Sequence, residues 1–163
     1  MFSVQCVEKW QRMTSPIYEE YCQQLSLFDL KKKKGEMTFS EKLKTANKFV
    51  EMLNCGEYAV IVEGKRDVIA LRNIGVNCII LQATGKPEMV VNKIVGFGKK
   101  PLILFDFDEA GKEREKRLTE LLFAVGLSPD NVSRGRFRRV FGLRFCEDVD
   151  TKYDELSTKS AIL

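Results

Sequence analysis

Two short apolar runs, each ending in acidic residues, dominate the hydrophobic pattern of the chain. Tyr58–Val62 runs into Glu63-Gly64, and Leu102–Phe105 runs into Asp106-Phe107-Asp108. Short runs rich in β-branched and aromatic residues, bounded by glycine and charge, are typical of buried strands in a parallel sheet. A helical pattern follows each run. The sequence therefore predicts two strand–helix units whose acids lie at the carboxyl ends of the strands, where open α/β sheets bind ligands.

The same pattern predicts one more strand and four helices. Thr38 stands three residues before Glu41, with the spacing of a capping box, so the first helix begins there. In chain order, the predicted elements are a helix from Phe39 that ends at Gly56, a helix Lys65–Asn73, a buried strand Cys78–Leu81, a short helix Met89–Val95 and a long helix from Glu109 through Val125. We therefore expect an α/β domain with a Rossmann-like, mainly parallel sheet of about four strands and helices on both faces.

Three parts are expected along the chain. Residues 1–37 form an N-terminal helical arm and linker, because Val4, Val7 and Trp10 share one helix face and Ser15-Pro16 would end that helix. Residues 38–156 form the α/β domain with its leading helix. Residues 157–163 form a C-terminal tail.

The peptide QLSLF in the arm has two interpretations. It is similar to the short peptide by which bacterial replication proteins bind the sliding clamp, which would make Gln24, Leu25, Leu27 and Phe28 a site for a protein partner. The alternative is a hydrophobic anchor that packs the arm onto the domain. The lysine run Lys31–Lys34 is either a solvated linker or a tail that contacts phosphates.

Composition excludes several kinds of chemistry. The chain has no histidine, which removes Ser-His-Asp and Cys-His nucleophiles and most zinc sites. Its five cysteines are scattered, without a Cys-x-x-Cys pair, which argues against a disulfide framework. No apolar run is long enough to span a membrane, and the N-terminus lacks a signal-peptide core, so we expect a cytoplasmic protein without membrane contact. The net charge of +4 is only mildly basic.

The acids at the two strand ends are candidate metal ligands. Alternation along the strand places Asp106 and Asp108 on the same side and turns Phe107 the other way, into packing. If Glu63 joins them, three carboxylates converge, and their mutual repulsion would be relieved by a cation. Hard oxygen ligands suit Mg²⁺.

The combination of a strand ending in Glu-Gly and a later strand ending in Asp-x-Asp resembles the Toprim domain. That domain is shared by topoisomerases, bacterial primases, some nucleases and recombination mediators, and Val60–Leu71 is similar to its primase-type and small stand-alone members. The resemblance implies that Glu63, Asp106 and Asp108 serve catalysis and bind Mg²⁺, with Mn²⁺ as a possible substitute. Asp67 is either an auxiliary metal ligand, as in the similar primase motif, or a charge that complements the start of a helix.

Basic residues near the predicted site are candidates for contact with nucleic acid. Each has an alternative, namely surface ion pairing for Lys65 and Arg66, and a simple helix-entry turn for Thr84 and Lys86. A basic-aromatic segment follows, in which phenylalanines alternate with Arg134, Arg136, Arg138 and Arg139. We expect its phenylalanines in the core and its arginines facing a substrate backbone; the alternative is an edge strand with arginines simply turned outward.

Two functions remain open. The first is Mg²⁺-dependent phosphodiester chemistry on DNA or RNA by a stand-alone domain, as a nuclease or a primase-like nucleotidyl transferase, similar to the ribosomal RNA maturation nuclease. The second is a non-catalytic module that binds nucleic acid or replication and repair partners. The presence of all three acids favours the enzyme.

Overall fold

The computed structural model describes residues 37–162. The predicted N-terminal helical arm, the QLSLF peptide and the lysine run lie outside the described residues, so the hypotheses about them stay predictions. None of the helices between residues 37 and 162 combines the length and the apolar character that crossing a bilayer requires.

A parallel three-stranded sheet organises the domain. Its strands are β1 (Tyr58–Val62), β2 (Ile79–Gln82) and β3 (Lys100–Ile103), in the order β2-β1-β3. Both pairings are parallel, with Val60 opposite Ile80 on one side and opposite Leu102 on the other. The expected α/β class with a mainly parallel sheet is confirmed, but the expectation of about four strands is wrong for the described residues.

Between residues 37 and 162, six α-helices surround the sheet, and the four predicted helices are among them. Their bounds are α1 (Phe39–Asn54), α2 (Lys65–Asn73), α3 (Pro87–Phe97), α4 (Glu109–Ala124), α5 (Asn131–Phe141) and α6 (Val149–Ile162), with a short 3-10 helix at Cys146–Asp148 before α6. The predicted capping box is present, because Thr38 and Glu41 satisfy each other's backbone N–H groups. The last helix continues through Ile162, beyond the point where the tail was expected to begin.

Two layers of helices bury the central strand. All five residues of β1 are buried. On one face, α3 and α4 form a core with the sheet through Ile61, Ile94, Ile103 and Leu122. Elsewhere α5 packs against α1, where the ring centroids of Phe49 and Phe137 lie 5.2 Å apart.

Two elements differ from expectation. The strand at Ile79–Gln82 was expected to be buried but is only half-buried, whereas β3, at the other edge of the sheet, is buried at three of its four positions. The edge-strand alternative for the basic-aromatic segment is wrong, because this segment forms α5. Its apolar residues recur at helical spacing, and Asp130 caps its N-terminus by accepting the backbone N–H of Ser133. The expectation that its phenylalanines join the core is confirmed for Phe137 and Phe141.

Candidate functional site

The parallel pairing of β1 with β3 brings Glu63 and Asp106 together. Both residues follow the carboxyl ends of these neighbouring strands, and the backbone N–H of Asp106 donates to Oε1 of Glu63 at 3.3 Å. Burial raises the pKa of Glu63 above its ordinary value; the charge of Arg114 opposes this rise, while Asp106 and Asp67 add to it. The strand ends therefore bring two acidic residues next to each other.

Asp67 is buried beside this pair. Its Oδ2 accepts the backbone N–H of Gly64 at 2.9 Å, so it closes the first turn of α2, as the helix-start interpretation expects. Burial raises the pKa of Asp67, and the charges of Asp106 and Glu147 raise it further, against the hydrogen bond from Gly64. The carboxylate of Asp67 therefore lies close enough to Asp106 and Glu147 for electrostatic interaction. Its role as a metal ligand stays a prediction.

Asp106 is fixed from a second direction. Its Oδ1 accepts the backbone N–H of Cys146 at 2.9 Å, from the 3-10 helix that precedes α6. No protein donor within residues 37–162 reaches its other carboxylate oxygen, which is thus available to a ligand. Nothing in the sequence pattern predicts that the segment at Cys146 returns to this strand end, because the contact joins residues that lie 40 positions apart.

Asp108 also caps a helix, a role that the sequence analysis missed. It is the N-cap of α4, and its Oδ1 accepts the backbone N–H of Gly111 at 2.7 Å. Phe107 between the two aspartates is buried as predicted, under the guanidinium of Arg134 at 4.3 Å from the ring centre. The strand alternation used to predict this does not apply, because β3 ends at Ile103 and all three residues lie in the loop after it. The predicted part of Asp108 in metal binding is not tested by this contact and stays a prediction.

Gly111 is needed because α4 begins against the loop that carries Asp106. A Cβ atom at this position would lie 2.1 Å from the backbone oxygen of Asp106, far inside van der Waals contact. The glycine therefore permits the close approach that sets the geometry of the acidic loop.

Arg114 is the site residue that the sequence analysis missed. It projects from α4 and forms an ion pair with Oε2 of Glu63. In the sequence it lies among alternating charges that are typical of a solvated helix face, which concealed it. One carboxylate oxygen of Glu63 is therefore already paired with the guanidinium of Arg114.

The donor set fits a hard divalent cation in its chemistry. The acids supply only carboxylate oxygens, the ligands that Mg²⁺ prefers. The thiol of Cys146 lies near them, but burial and the neighbouring acids raise its pKa well above the ordinary value, so it does not offer a thiolate. Within residues 37–162, however, no three acids lie close enough together to form a ready-made metal cluster. A cation bound by both Glu63 and Asp106 would have to share Glu63 with Arg114 or displace it.

The predicted nucleic-acid contacts fall into two groups around the site. Lys65 and Arg66 are exposed at the start of α2, where Arg66 faces Glu147 at 3.6 Å. Thr84 and Lys86 are exposed between β2 and α3, and Lys86 is the N-cap of that helix. Both groups follow strand ends, as predicted, and their contact with nucleic acid stays a prediction.

The arginines of α5 are in different environments. Arg134 is half-buried, pairs with Glu115 at 2.6 Å and covers Phe107. Arg138 also lies over Phe107, at 5.1 Å, and is exposed. Arg136 is half-buried and Arg139 is exposed. The contacts of Arg134 are internal, so its predicted part in binding nucleic acid gains no support from its position.

A second buried polar group, around Asp130, holds the opposite end of the sheet. Asp130 accepts the hydroxyl of Tyr58 at 2.7 Å and the hydroxyl of Ser133 at 2.9 Å, and it lies 3.2 Å from Nζ of Lys100. Burial alone would raise the pKa of Asp130, but the hydrogen bonds and the lysine charge together lower it below the ordinary value. Since Tyr58 and Lys100 begin β1 and β3, this group fixes the strands whose far ends carry the acids.

Comparison with known proteins places these features in a wider group. A Toprim-like family model matches residues 60–135, a range that contains Glu63, Asp106 and Asp108. A UPF0292 protein of Thermococcus onnurineus is 31% identical over 102 residues, which cover 63% of this chain and 77% of that protein. Another, of Thermococcus kodakarensis, is 37% identical over 92 residues, which cover 56% and 69%. A solved structure of a protein from Aquifex aeolicus matches 68% of this chain and 97% of its own, with a TM-score of 0.54 and 27% identity.

Proposed function

The chain belongs to the small Toprim-domain proteins, together with the archaeal UPF0292 proteins, and on this premise we propose that it carries out Mg²⁺-dependent phosphodiester chemistry on nucleic acid. The resemblance noted in the sequence is thereby confirmed at the level of the family. Toprim domains in general use acidic residues to bind Mg²⁺, and this chain places acids where such a site would lie.

One observation carries the proposal: Glu63 and Asp106 are joined at the ends of adjacent strands. We propose that these two carboxylates hold the cation, with Asp67 as an auxiliary acid and Asp108 setting the loop through its cap of α4. The bound cation would supply neutralisation of the charge that develops on a phosphate. Glu63, whose pKa is raised by burial, is suited to hold or accept a proton at an attacking or leaving oxygen.

A second function is favoured by a different observation. Because Arg114 is paired with Glu63, the acidic site is already neutralised in part without any metal. This arrangement suits a domain that binds nucleic acid without cleaving or extending it. The acids would then be kept for the fold, as the hydrogen bonds of Asp67 and Asp106 to the backbone illustrate.

Turnover of labelled DNA and RNA distinguishes the two functions. The substrates are single-stranded, duplex and structured molecules, incubated with Mg²⁺ or Mn²⁺ and with chelator. The variants are Asp106→Asn, which can still accept the N–H of Cys146, and Asp154→Asn as a matched control on the exposed face of α6. Enzymatic function predicts metal-dependent turnover that is lost in Asp106→Asn and kept in Asp154→Asn. Nucleic-acid binding without turnover, unchanged in Asp106→Asn, would overturn the catalytic proposal.

A further inference from the structure

A cavity of about 210 Å³ opens beside Glu63 on the face of the sheet that α3 and α4 cover. It lies at the carboxyl ends of the strands, because Glu63, Ala83 and Phe105 follow β1, β2 and β3. Its apolar lining includes Val90 of α3 and Leu118 of α4. Ligand sites in open α/β sheets are found at this edge. The cavity is therefore placed to take part of a molecule whose reacting group lies at Glu63.

Two arginines make this cavity attractive to anions. Arg114 and Arg117 both line it from α4, where a separation of three residues places them on one helix face. Arg114 is paired with Glu63, whereas Arg117 has no acidic partner within residues 37–162. One positive charge in the lining is thus left for a ligand.

The start of α3 adds to this attraction. Gly85 and Pro87, which flank its N-cap, line the same cavity, and no side chain caps this helix end. The first turn of a helix carries the positive end of the helix dipole. In α3 the backbone N–H of Glu88 is the donor left for a ligand in this turn, because Pro87 has no N–H and that of Met89 donates to the carbonyl of Lys86. Together with Arg117, this end favours a phosphate, while the apolar lining favours a flat apolar group.

We propose that this cavity binds one nucleotide unit of the nucleic-acid strand, with its phosphate at Arg117 and the start of α3 and its base against the apolar lining. A volume of about 210 Å³ lies below the usual range of small-molecule pockets, roughly 300–1,000 Å³, so the cavity has room for the base of one unit, with its phosphate at the edge near the exposed Arg117. The inference rests on the proposed function, since it names how the substrate is held beside the acids.

Binding of adenosine 5′-monophosphate to the full chain without metal tests this inference. Shifts of backbone amide signals in NMR spectra locate the ligand, and we expect them at Ala83, Gly85 and Leu118. Adenosine and inorganic phosphate, each offering half of the ligand, should bind at least tenfold more weakly. A dinucleotide with a 5′-phosphate should bind at least as tightly as the monophosphate, because the cavity serves a strand and not a free nucleotide.

Three variants decide the outcome. Arg117→Gln should weaken binding about tenfold or more, the effect expected for loss of a charge-assisted hydrogen bond to phosphate. Ala83→Leu, which places a larger side chain in the cavity, should weaken it as well. Lys116→Gln removes the same charge from the adjacent, exposed position of α4, which does not line the cavity, and should leave binding unchanged.

Several results would overturn the inference. These are amide shifts confined to other surfaces, equal binding by Arg117→Gln and the unsubstituted protein, inorganic phosphate as good as the monophosphate, or exclusion of the dinucleotide. The assay is independent of catalysis. Binding in the cavity without turnover of any nucleic acid would leave this site standing while the catalytic proposal fails, and turnover with unaltered binding by Arg117→Gln would do the reverse.

Discussion

The backbone N–H of Asp106 donates a hydrogen bond to the carboxylate of Glu63, with 3.3 Å between the two atoms. This bond joins the loop after β3 to the end of β1, so the two acids keep a fixed relation that neither strand sets alone. The second aspartate of the loop, Asp108, instead directs its Oδ1 to the first turn of α4. The two aspartates thus have different neighbours, and substitutions should separate their roles.

Replacing Asp106 should cost far more activity than replacing Asp108. Asp106→Asn removes the charge next to Glu63, and we expect metal-dependent turnover to fall about a hundredfold or more. Asn is as good an N-cap as Asp, so Asp108→Asn keeps the start of α4 and should lose no more than about tenfold. Initial rates at saturating Mg²⁺ check this order. Equal losses in both variants would mean that Asp108 is also a full metal ligand.

Gly111→Ala should destabilise the domain. The added Cβ would lie 2.1 Å from the backbone oxygen of Asp106, so the acidic loop must move away from α4. We expect the free energy of unfolding in urea to fall by about 2–3 kcal/mol, the upper range for overpacking. Gly135→Ala is the matched control, because α5 leaves open space there and alanine should add about 0.5–1 kcal/mol of helix stability. A neutral Gly111→Ala would refute the steric argument.

Asp130 should make the stability of the domain sensitive to acid. Because its pKa is lowered in the folded protein, its carboxylate stabilises the fold above the ordinary value of 3.8, and this contribution is lost as the pH falls through the lowered pKa. The free energies of unfolding of the unsubstituted protein and of Asp130→Asn should therefore differ most near neutral pH. The difference between the urea midpoints of the two proteins should become smaller below about pH 4. A gap that stays constant down to pH 3 would contradict this assignment.

The ion pair between Glu115 and Arg134 should stabilise the fold less than its short distance suggests. Burial raises the pKa of Glu115 and lowers that of Arg134, although each partner opposes the effect on the other. Nε of Arg134 is buried without an acceptor among the described residues. Loss of hydration therefore offsets most of the attraction.

A double-mutant cycle tests this pair. Arg134→Met alone leaves Glu115 without its partner and should cost about 2 kcal/mol, and Glu115→Met alone should also destabilise the domain. The double substitution should be more stable than either single one. If the double substitution is as unstable as either single one, the ion pair has a net stabilising effect and the argument from burial is wrong.

Much of the fold could be predicted from the sequence because its signals are local. The helix at Lys65–Asn73 is confirmed with the predicted bounds, since Gly64 and Gly75 flank its apolar positions. The edge position of β2 could not be foreseen, because the sequence of an apolar strand does not say which neighbours it has. The interleaved arginines and phenylalanines near residue 137 fit both the two-residue period of a strand and the 3.6-residue period of a helix. The N-cap residue Asp130 was the signal that favours a helix.

The acidic residues of the site could be predicted from the sequence, but the residues that contact them could not. Glu63 and Asp106 stand out because they interrupt apolar runs. Arg114 is separated from Glu63 by 51 residues, and only the packing of α4 on the sheet brings the two side chains together. The capping role of Asp108 had a local signal, because an aspartate directly before the predicted helix start at Glu109 is a common N-cap, but the motif drew attention only to its charge.

Binding of Mn²⁺ to the isotope-labelled full chain tests whether Glu63 and Asp106 hold a metal ion. Paramagnetic broadening of backbone amide signals marks residues near the ion. If Glu63 and Asp106 hold the ion, broadening is centred on Glu63, Gly64 and Asp106, is lost in Asp106→Asn and is retained in Asp154→Asn. Broadening centred elsewhere, or an unchanged pattern in Asp106→Asn, would show that these carboxylates do not hold a metal ion.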